Sequence, residues 1–126
     1  MKNLKIEETN YTPRVDLNEN GRMSIIGKSL VEDANSFYRP IIENIKKCES
    51  KDFILEIKLE YMNTSSSKVM LMLLKAIKET YTSNNVHVRW YYERGDEDML
   101  DLALDYESIL IMPIDVVEVC EEEYYN

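Results

Sequence analysis

Hydrophobic positions along the chain follow two different periods, and their alternation predicts strands and helices in turn. Apolar residues that alternate or run together over short stretches predict strands at 2–7, 14–17, 22–27, 53–61 and 86–92, and a last short strand or extended segment at 109–112. Apolar residues that recur every three or four positions predict helices at 31–48, 66–82 and 96–106. Strands and helices that alternate from residue 31 onward favour an α/β fold, with a mixed β-sheet packed with helices. No linker or repeat interrupts the pattern, so we expect a single domain over residues 1–126.

Polar and special residues refine the ends of these elements. The Asn20-Gly21 pair predicts a hairpin that joins the strands at 14–17 and 22–27. Ser29 is a plausible cap for the helix at 31–48, and Pro40 inside that helix predicts a kink or two short helices.

Net charge and hydropathy exclude several classes of partner. The chain has a formal net charge of −9, and residues 93–126 hold twelve acids but only one base. This surplus repels phosphate backbones and anionic lipid surfaces, which argues against nucleic-acid partners. No apolar stretch approaches the roughly 18 residues of a membrane helix, and the N-terminus lacks the apolar core of a signal peptide. We therefore expect a cytoplasmic protein without membrane insertion.

Residues that hold metals or cofactors are sparse. One histidine and two separated cysteines cannot form a zinc site from nitrogen and sulfur ligands, and three glycines form no phosphate-binding loop. We therefore expect no cofactor and no metal. Asp96-Glu97-Asp98 could bind a cation in a small metal-using enzyme, but these acids also suit a first helical turn, which is the favoured interpretation. The acids at 118–123 are most simply explained as a solvated end, with binding to a basic partner as the alternative.

Five consecutive small polar residues, 63–67, separate the strand at 53–61 from the helix at 66–82. A helix cap at Asn63 or Thr64 needs only one or two of them. The N-terminus of a helix also tolerates an added phosphate, because its unpaired N–H groups and dipole favour negative charge. Thr64 is therefore a candidate phosphorylation site, with the Lys68 ammonium one helical turn away, while a plain helix cap stays open as the alternative.

The helix at 66–82 is apolar on more than one side, because residues 69–74 are hydrophobic without a break. We expect one stripe of this helix to be buried, made of Met70, Leu73, Leu74, Ile77 and Tyr81. Leu71 and Met72 are the candidates for a surface that faces a partner.

The segment Tyr61-Met62-Asn63-Thr64-Ser65-Ser66-Ser67-Lys68 resembles the signature of SiaC-type regulatory phosphoproteins, and the strand–cap–helix unit is similar to STAS domains of anti-sigma factor antagonists. Supporting segments lie in the family's order, at Tyr11-Thr12-Pro13, Gly27-Lys28-Ser29, Phe37-Tyr38-Arg39-Pro40, Arg89-Trp90-Tyr91-Tyr92, Asp96-Glu97-Asp98-Met99 and Pro113. The chain departs from the family at two scaffold positions, with Val31 in place of proline and Ala103 in place of glycine.

The resemblance implies a STAS-like fold and a non-catalytic, regulatory role. It implies that a dedicated Ser/Thr kinase phosphorylates Thr64 and that a metal-dependent phosphatase reverses the modification. The unphosphorylated form would bind and stimulate a diguanylate cyclase, and so control cyclic-di-GMP signalling and biofilm behaviour. The partner-binding residues would be Asn63, Thr64, Ser65, Ser66 and Lys68. The rival hypotheses are an anti-sigma factor antagonist, a small metal-using enzyme and a plain structural subunit.

Overall fold

A computed structural model describes residues 3–82 and 85–120, which form a six-stranded sheet and three helices. The strands are β1 (Leu4–Ile6), β2 (Arg14–Leu17), β3 (Arg22–Ser29), β4 (Phe53–Met62), β5 (Val86–Glu93) and β6 (Asp115–Val119). The helices are α1 (Ala34–Lys47), α2 (Thr64–Thr80) and α3 (Glu97–Leu110). The predicted α/β fold with a mixed sheet is confirmed.

The strands lie side by side in the order in which they occur in the chain. β1, β2 and β3 pair antiparallel, whereas β3, β4, β5 and β6 are parallel to one another. Each parallel pair is joined by one helix, because a chain that returns to start a parallel strand needs a long crossover. The carboxyl ends of β3 and β4 therefore meet at one edge of the sheet, where the chain enters α1 and α2.

One face of the sheet carries the core and the other is polar. Alternate residues of β4 are fully buried against the helices, namely Phe53, Leu55, Ile57 and Leu59. The stripe predicted for α2 is buried as well, at Met70, Leu73, Leu74, Ile77 and Tyr81. On the opposite face the Tyr91 hydroxyl donates to Glu56 Oε2 at 2.8 Å, and Lys58 Nζ lies 4.6 Å from the centroid of the Tyr91 ring. Two charged residues of the polar face, Glu56 and Lys58, therefore both interact with Tyr91.

Helix α1 has a different cap from the predicted one and is not divided at its proline. Ser29 is not its cap but the last residue of β3, and Asp33 caps the helix by accepting the Ser36 N–H at 3.2 Å. The helix continues through Pro40 as one element, which excludes two short helices, the second of the two alternatives predicted there. Proline removes one internal hydrogen bond. Buried residues on both sides of it, at Tyr38, Ile41 and Ile45, hold the helix on the sheet.

The end of α3 corrects the prediction of a short strand or extended segment at 109–112. Met99, Ala103, Tyr106 and Leu110 are buried at helical spacing, so the helix runs on to Leu110. It ends at Ile111, whose φ of 51° is left-handed.

The last strand lies further on than the sequence suggested. β6 pairs in parallel with β5, from Arg89 beside Asp115 to Glu93 beside Val119. Glu118 and Val119 therefore belong to the sheet and not to a solvated end. The remaining acids of that predicted end, 121–123, lie outside the described residues.

The predicted hairpin between β2 and β3 is confirmed, and Gly21 in its turn has a φ of +86°. A Cβ atom at Gly21 would lie 2.1 Å from the backbone oxygen of Asp52, whereas a Cβ at Gly95, with a φ of +90°, would meet nothing within 4 Å. We expect Gly21→Ala to lower the free energy of unfolding by about 3 kcal/mol and Gly95→Ala by only about 1 kcal/mol. Urea unfolding measures both losses, and equal losses would show that the close approach to Asp52 does not matter.

Candidate functional site

The polar segment between β4 and α2 lies at the edge where the parallel strands β3 and β4 end. Asn63 is the N-cap of α2, since its Oδ1 accepts the Ser66 N–H at 2.9 Å. Its side-chain amide donates to the backbone carbonyl of Val31 at 3.0 Å, and its backbone N–H donates to the backbone carbonyl of Ser29 at 3.0 Å. Asn63 therefore ties the start of α2 to the segment that leaves β3.

Thr64 is the first residue of α2, and its side chain is exposed. The backbone N–H groups of Thr64 and Ser65 have no acceptor within the helix, because the first turn of any helix leaves its donors without intrahelical partners. Lys68, four residues on, is also exposed. The geometry meets the main requirement of the phosphorylation hypothesis, an accessible hydroxyl at the positive end of a helix.

The three serines that follow have different surroundings. The Ser65 hydroxyl is partly covered and donates to the backbone carbonyl of Glu32 at 3.3 Å. The Ser67 hydroxyl donates to the backbone carbonyl of Thr64 at 2.8 Å. Ser66 is fully buried. The prediction that Ser66 forms part of a docking surface does not fit this burial, because other side chains separate its hydroxyl from any partner.

Ser66 instead belongs to a chain of three buried hydroxyls beneath Thr64. The Ser29 Oγ lies 2.7 Å from the Ser66 Oγ and 2.7 Å from the Tyr38 hydroxyl. Burial raises the pKa of Tyr38 to about 12, although the hydrogen bond with Ser29 opposes the shift. The tyrosine stays neutral at physiological pH, and the three hydroxyls connect β3, α1 and the first turn of α2.

A hollow of about 730 Å³ lies beside Asn63 at the same edge. Tyr11 and Tyr61 on its rim are 66% and 56% exposed. Tyr61 is in phase with the buried residues of β4 and so lies on the same face of the sheet. It is nevertheless exposed, because it lies near the end of the strand, where the helices do not cover the sheet. The backbone N–H of Leu30 donates to the backbone carbonyl of Tyr11 at 2.8 Å, which holds the loop that carries Tyr11 in place. Periodicity could not reveal this hollow, because three separate segments of the chain line it.

The other candidates lie elsewhere. Met72 is 54% exposed on α2, whereas Leu71 is partly buried against the core. Asp96 caps α3 by accepting the Met99 N–H at 3.2 Å, which confirms the capping interpretation. Within residues 3–82 and 85–120, no three His, Cys, Asp or Glu side chains are grouped so as to hold a metal ion. No helix in the same ranges is long and apolar enough to span a membrane.

The cap at Asn63 makes a testable contribution to stability. We expect Asn63→Ala to lower the free energy of unfolding by about 2 kcal/mol, because the variant loses the cap of α2 and leaves the Val31 oxygen without its donor. The matched control is Asn35→Ala in the exposed first turn of α1, with an expected change within about 0.5 kcal/mol. Chemical denaturation compares the two, and similar values would contradict the structural role of the Asn63 side chain.

Comparison with known proteins gives consistent results for sequence and structure. The model of the SiaC family of regulatory phosphoproteins matches residues 6–119. An uncharacterized protein of Pseudomonas aeruginosa (strain UCBPP-PA14) is 28% identical over 118 residues, which cover 90% of this chain and 94% of that protein.

Solved structures have the same fold. SiaC of Pseudomonas aeruginosa superposes with a TM-score of 0.83 at 26% identity, over 94% of this chain and all of that chain. A second match is to the crystal structure of the diguanylate cyclase SiaD in complex with its activator SiaC, also from Pseudomonas aeruginosa. That match has a TM-score of 0.82 at 26% identity and covers 92% of this chain and 99% of the other.

Proposed function

We propose that this chain, which belongs to the SiaC family of regulatory phosphoproteins, is a non-catalytic activator of a diguanylate cyclase and is controlled by phosphorylation of Thr64. The observation that carries the proposal is the exposed hydroxyl of Thr64 at the first position of α2. The similarity to SiaC, the activator of the diguanylate cyclase SiaD in Pseudomonas aeruginosa, supports the choice of partner.

The proposed docking surface consists of Asn63, Thr64, Ser65 and Lys68, with the tyrosine-rimmed hollow beside them. In the unmodified protein the four residues carry only the charge of Lys68, and the hollow adds one exposed carboxylate, Glu32. The surface is therefore polar and has little net charge, so a partner covers it at low cost. A phosphate on Thr64 adds roughly −1.5 to −2 charges. Covering that charge requires the loss of its hydration, for which one exposed lysine compensates only in part. Ser66 contributes from below, by holding the first turn in place.

The regulatory cycle needs two further enzymes in this proposal. A Ser/Thr kinase adds the phosphate and a metal-dependent phosphatase removes it, so the phosphorylated fraction sets the activity of the cyclase. Residues 1–126 act as one domain in the cytoplasm, without a cofactor or metal of their own. The output is the level of cyclic-di-GMP and, through it, biofilm behaviour.

A reconstituted assay tests this function. The purified protein is added to a purified diguanylate cyclase of its native host, and cyclic-di-GMP production is measured. The unmodified protein should stimulate the cyclase in a saturable manner, whereas heat-denatured protein should not. Stimulation of none of the host's cyclases, combined with binding to a kinase-like anti-sigma factor, would replace this function with the antagonist hypothesis.

A further inference from the structure

A groove runs between α1 and α2 on the outer surface of the helical layer. Ile42 on α1 and Val69 and Met72 on α2 supply its apolar surface. It has a volume of about 250 Å³ and adjoins a second hollow of about 240 Å³ that contains Ala76. Both hollows share Ile42, Lys46 and Met72, so together they form one elongated depression, which we call the α1–α2 groove.

The charge around this groove is opposite in sign to that of the chain as a whole. Arg39 and Lys46 line the groove from α1, and Lys75 lines it from α2. Its acids are Glu43 and Glu79, of which Glu79 already pairs with Lys75 at 3.9 Å. In the described ranges neither Arg39 nor Lys46 lies within ion-pair distance of a carboxylate, although Arg39 is near enough to Asp33 to interact with it electrostatically. Both side chains can therefore pair with carboxylates of a partner.

The three helices show the same contrast. α1 has three basic residues and one acid, and α2 has three lysines and one glutamate. α3 has five acids and no base, and the whole chain has a formal net charge of −9. The α1–α2 surface is therefore a basic region of an acidic protein, and it attracts negatively charged partners.

The groove is continuous with the site at the start of α2. Thr64, Lys68 and Met72 are spaced four residues apart, so they follow one strip of the helix surface. All three side chains are exposed. A partner that lies along the groove and contacts Met72 therefore extends toward Thr64.

We propose that the α1–α2 groove binds an acidic amphipathic helix of the partner protein. An elongated apolar depression between two helices suits the apolar face of a third helix. The carboxylates that flank this face would meet Arg39 and Lys46 and would compete with Glu79 for Lys75. The proposal rests on the proposed function only in taking this partner to be the effector. It also explains the direction of the switch, because a phosphate on Thr64 would repel an acidic helix.

Two designed peptides of about 18 residues, or five helical turns, test this proposal. They carry leucines at the same helical spacing, one with glutamate flanks and the other with lysine flanks, and circular dichroism establishes that both are helical. Binding is measured by fluorescence anisotropy and located by amide chemical-shift changes. The acidic peptide should bind about tenfold more tightly than the basic one, with shifts centred on Ile42 and Met72.

Variants of the groove should change this result in a defined way. Lys46→Glu combined with Lys75→Glu should reverse the preference between the peptides, and Met72→Lys should remove binding of both. The controls are Lys5→Glu on the edge strand β1 and Leu104→Lys on α3, which have exposed side chains outside the groove and should bind like the wild type.

Four outcomes would overturn the proposal. The first two are the absence of shifts at the groove and equal affinity for the two peptides. The third is self-association that Met72→Lys abolishes, which would assign the groove to a second copy of the chain. The fourth is binding to phosphatidylserine vesicles in place of the acidic peptide, which would assign it to a membrane. The assay contains no cyclase and no phosphate, so a failure of peptide binding leaves the proposed cyclase activation intact. A failure of cyclase activation likewise leaves the peptide result intact.

Discussion

Thr64→Asp is expected to lower the affinity of the protein for its diguanylate cyclase by about a hundredfold, whereas Thr64→Ala binds like the wild type. A carboxylate at the first position of α2 is favourable for the free protein, because it lies at the positive end of the helix dipole. In the complex the same carboxylate must lose its water, for which the nearby Lys68 compensates only in part. A hundredfold loss corresponds to about 2.7 kcal/mol, within the range for an unpaired charge at an interface.

The matched control for this prediction is Thr80→Asp. It makes the same substitution at an exposed threonine of the same helix, but at the opposite end. Isothermal titration with the cyclase should show wild-type affinity for the control, and thermal unfolding should show that Thr64→Asp is at least as stable as the wild type. Equal affinity of Thr64→Asp and Thr64→Ala would refute a charge-based switch at this position.

Ser29→Ala is expected to lower the free energy of unfolding by about 3 kcal/mol. The Ser29 hydroxyl is the middle of the buried chain, 2.7 Å from both the Tyr38 hydroxyl and the Ser66 hydroxyl. All three side chains are buried, so alanine leaves two hydroxyls without this partner and without access to water. Each such group costs about 1–3 kcal/mol.

Variants at the ends of the chain separate this effect from a general loss of packing. Tyr38→Phe and Ser66→Ala each leave Ser29 with one partner, so each should cost less than Ser29→Ala. The double variant Ser29→Ala/Tyr38→Phe should lose less than the sum of its parts, because both substitutions break the same hydrogen bond. The exposed Ser108→Ala on α3 is the control. Urea unfolding of the set would contradict the account if Ser29→Ala and Ser108→Ala had equal effects.

The elements of the fold were predictable where one face of a segment is buried. Only one face of β4 is covered by helices, so its buried residues alternate along the sequence, at Phe53, Leu55, Ile57 and Leu59. This spacing is visible in the sequence without knowledge of the fold. The end of the chain is harder, because four consecutive apolar residues at 109–112 fit a short strand as well as a helix end. β6 has an exposed pattern at the edge of the sheet, so it leaves a weak periodic signal.

The site was predictable at Thr64 and less so at the residues around it. A run of polar residues before an apolar helix indicates a helix start, and the first residue of such a helix is commonly exposed. Ser66 could have been placed correctly, because it lies four residues before the buried Met70 and therefore on the same side of α2. The role of Ser29 could not be predicted, since it depends on Tyr38 and Ser66, which only the folded chain brings together.

The most direct test of the account is a titration of the cyclase with protein that carries phosphothreonine at position 64, introduced during synthesis and verified by mass spectrometry of the peptide. Unmodified protein prepared in parallel should bind and stimulate the cyclase, the phosphorylated form should do neither, and phosphatase treatment should restore both. Equal binding and stimulation by the two forms would contradict the claim that a phosphate on Thr64 prevents docking.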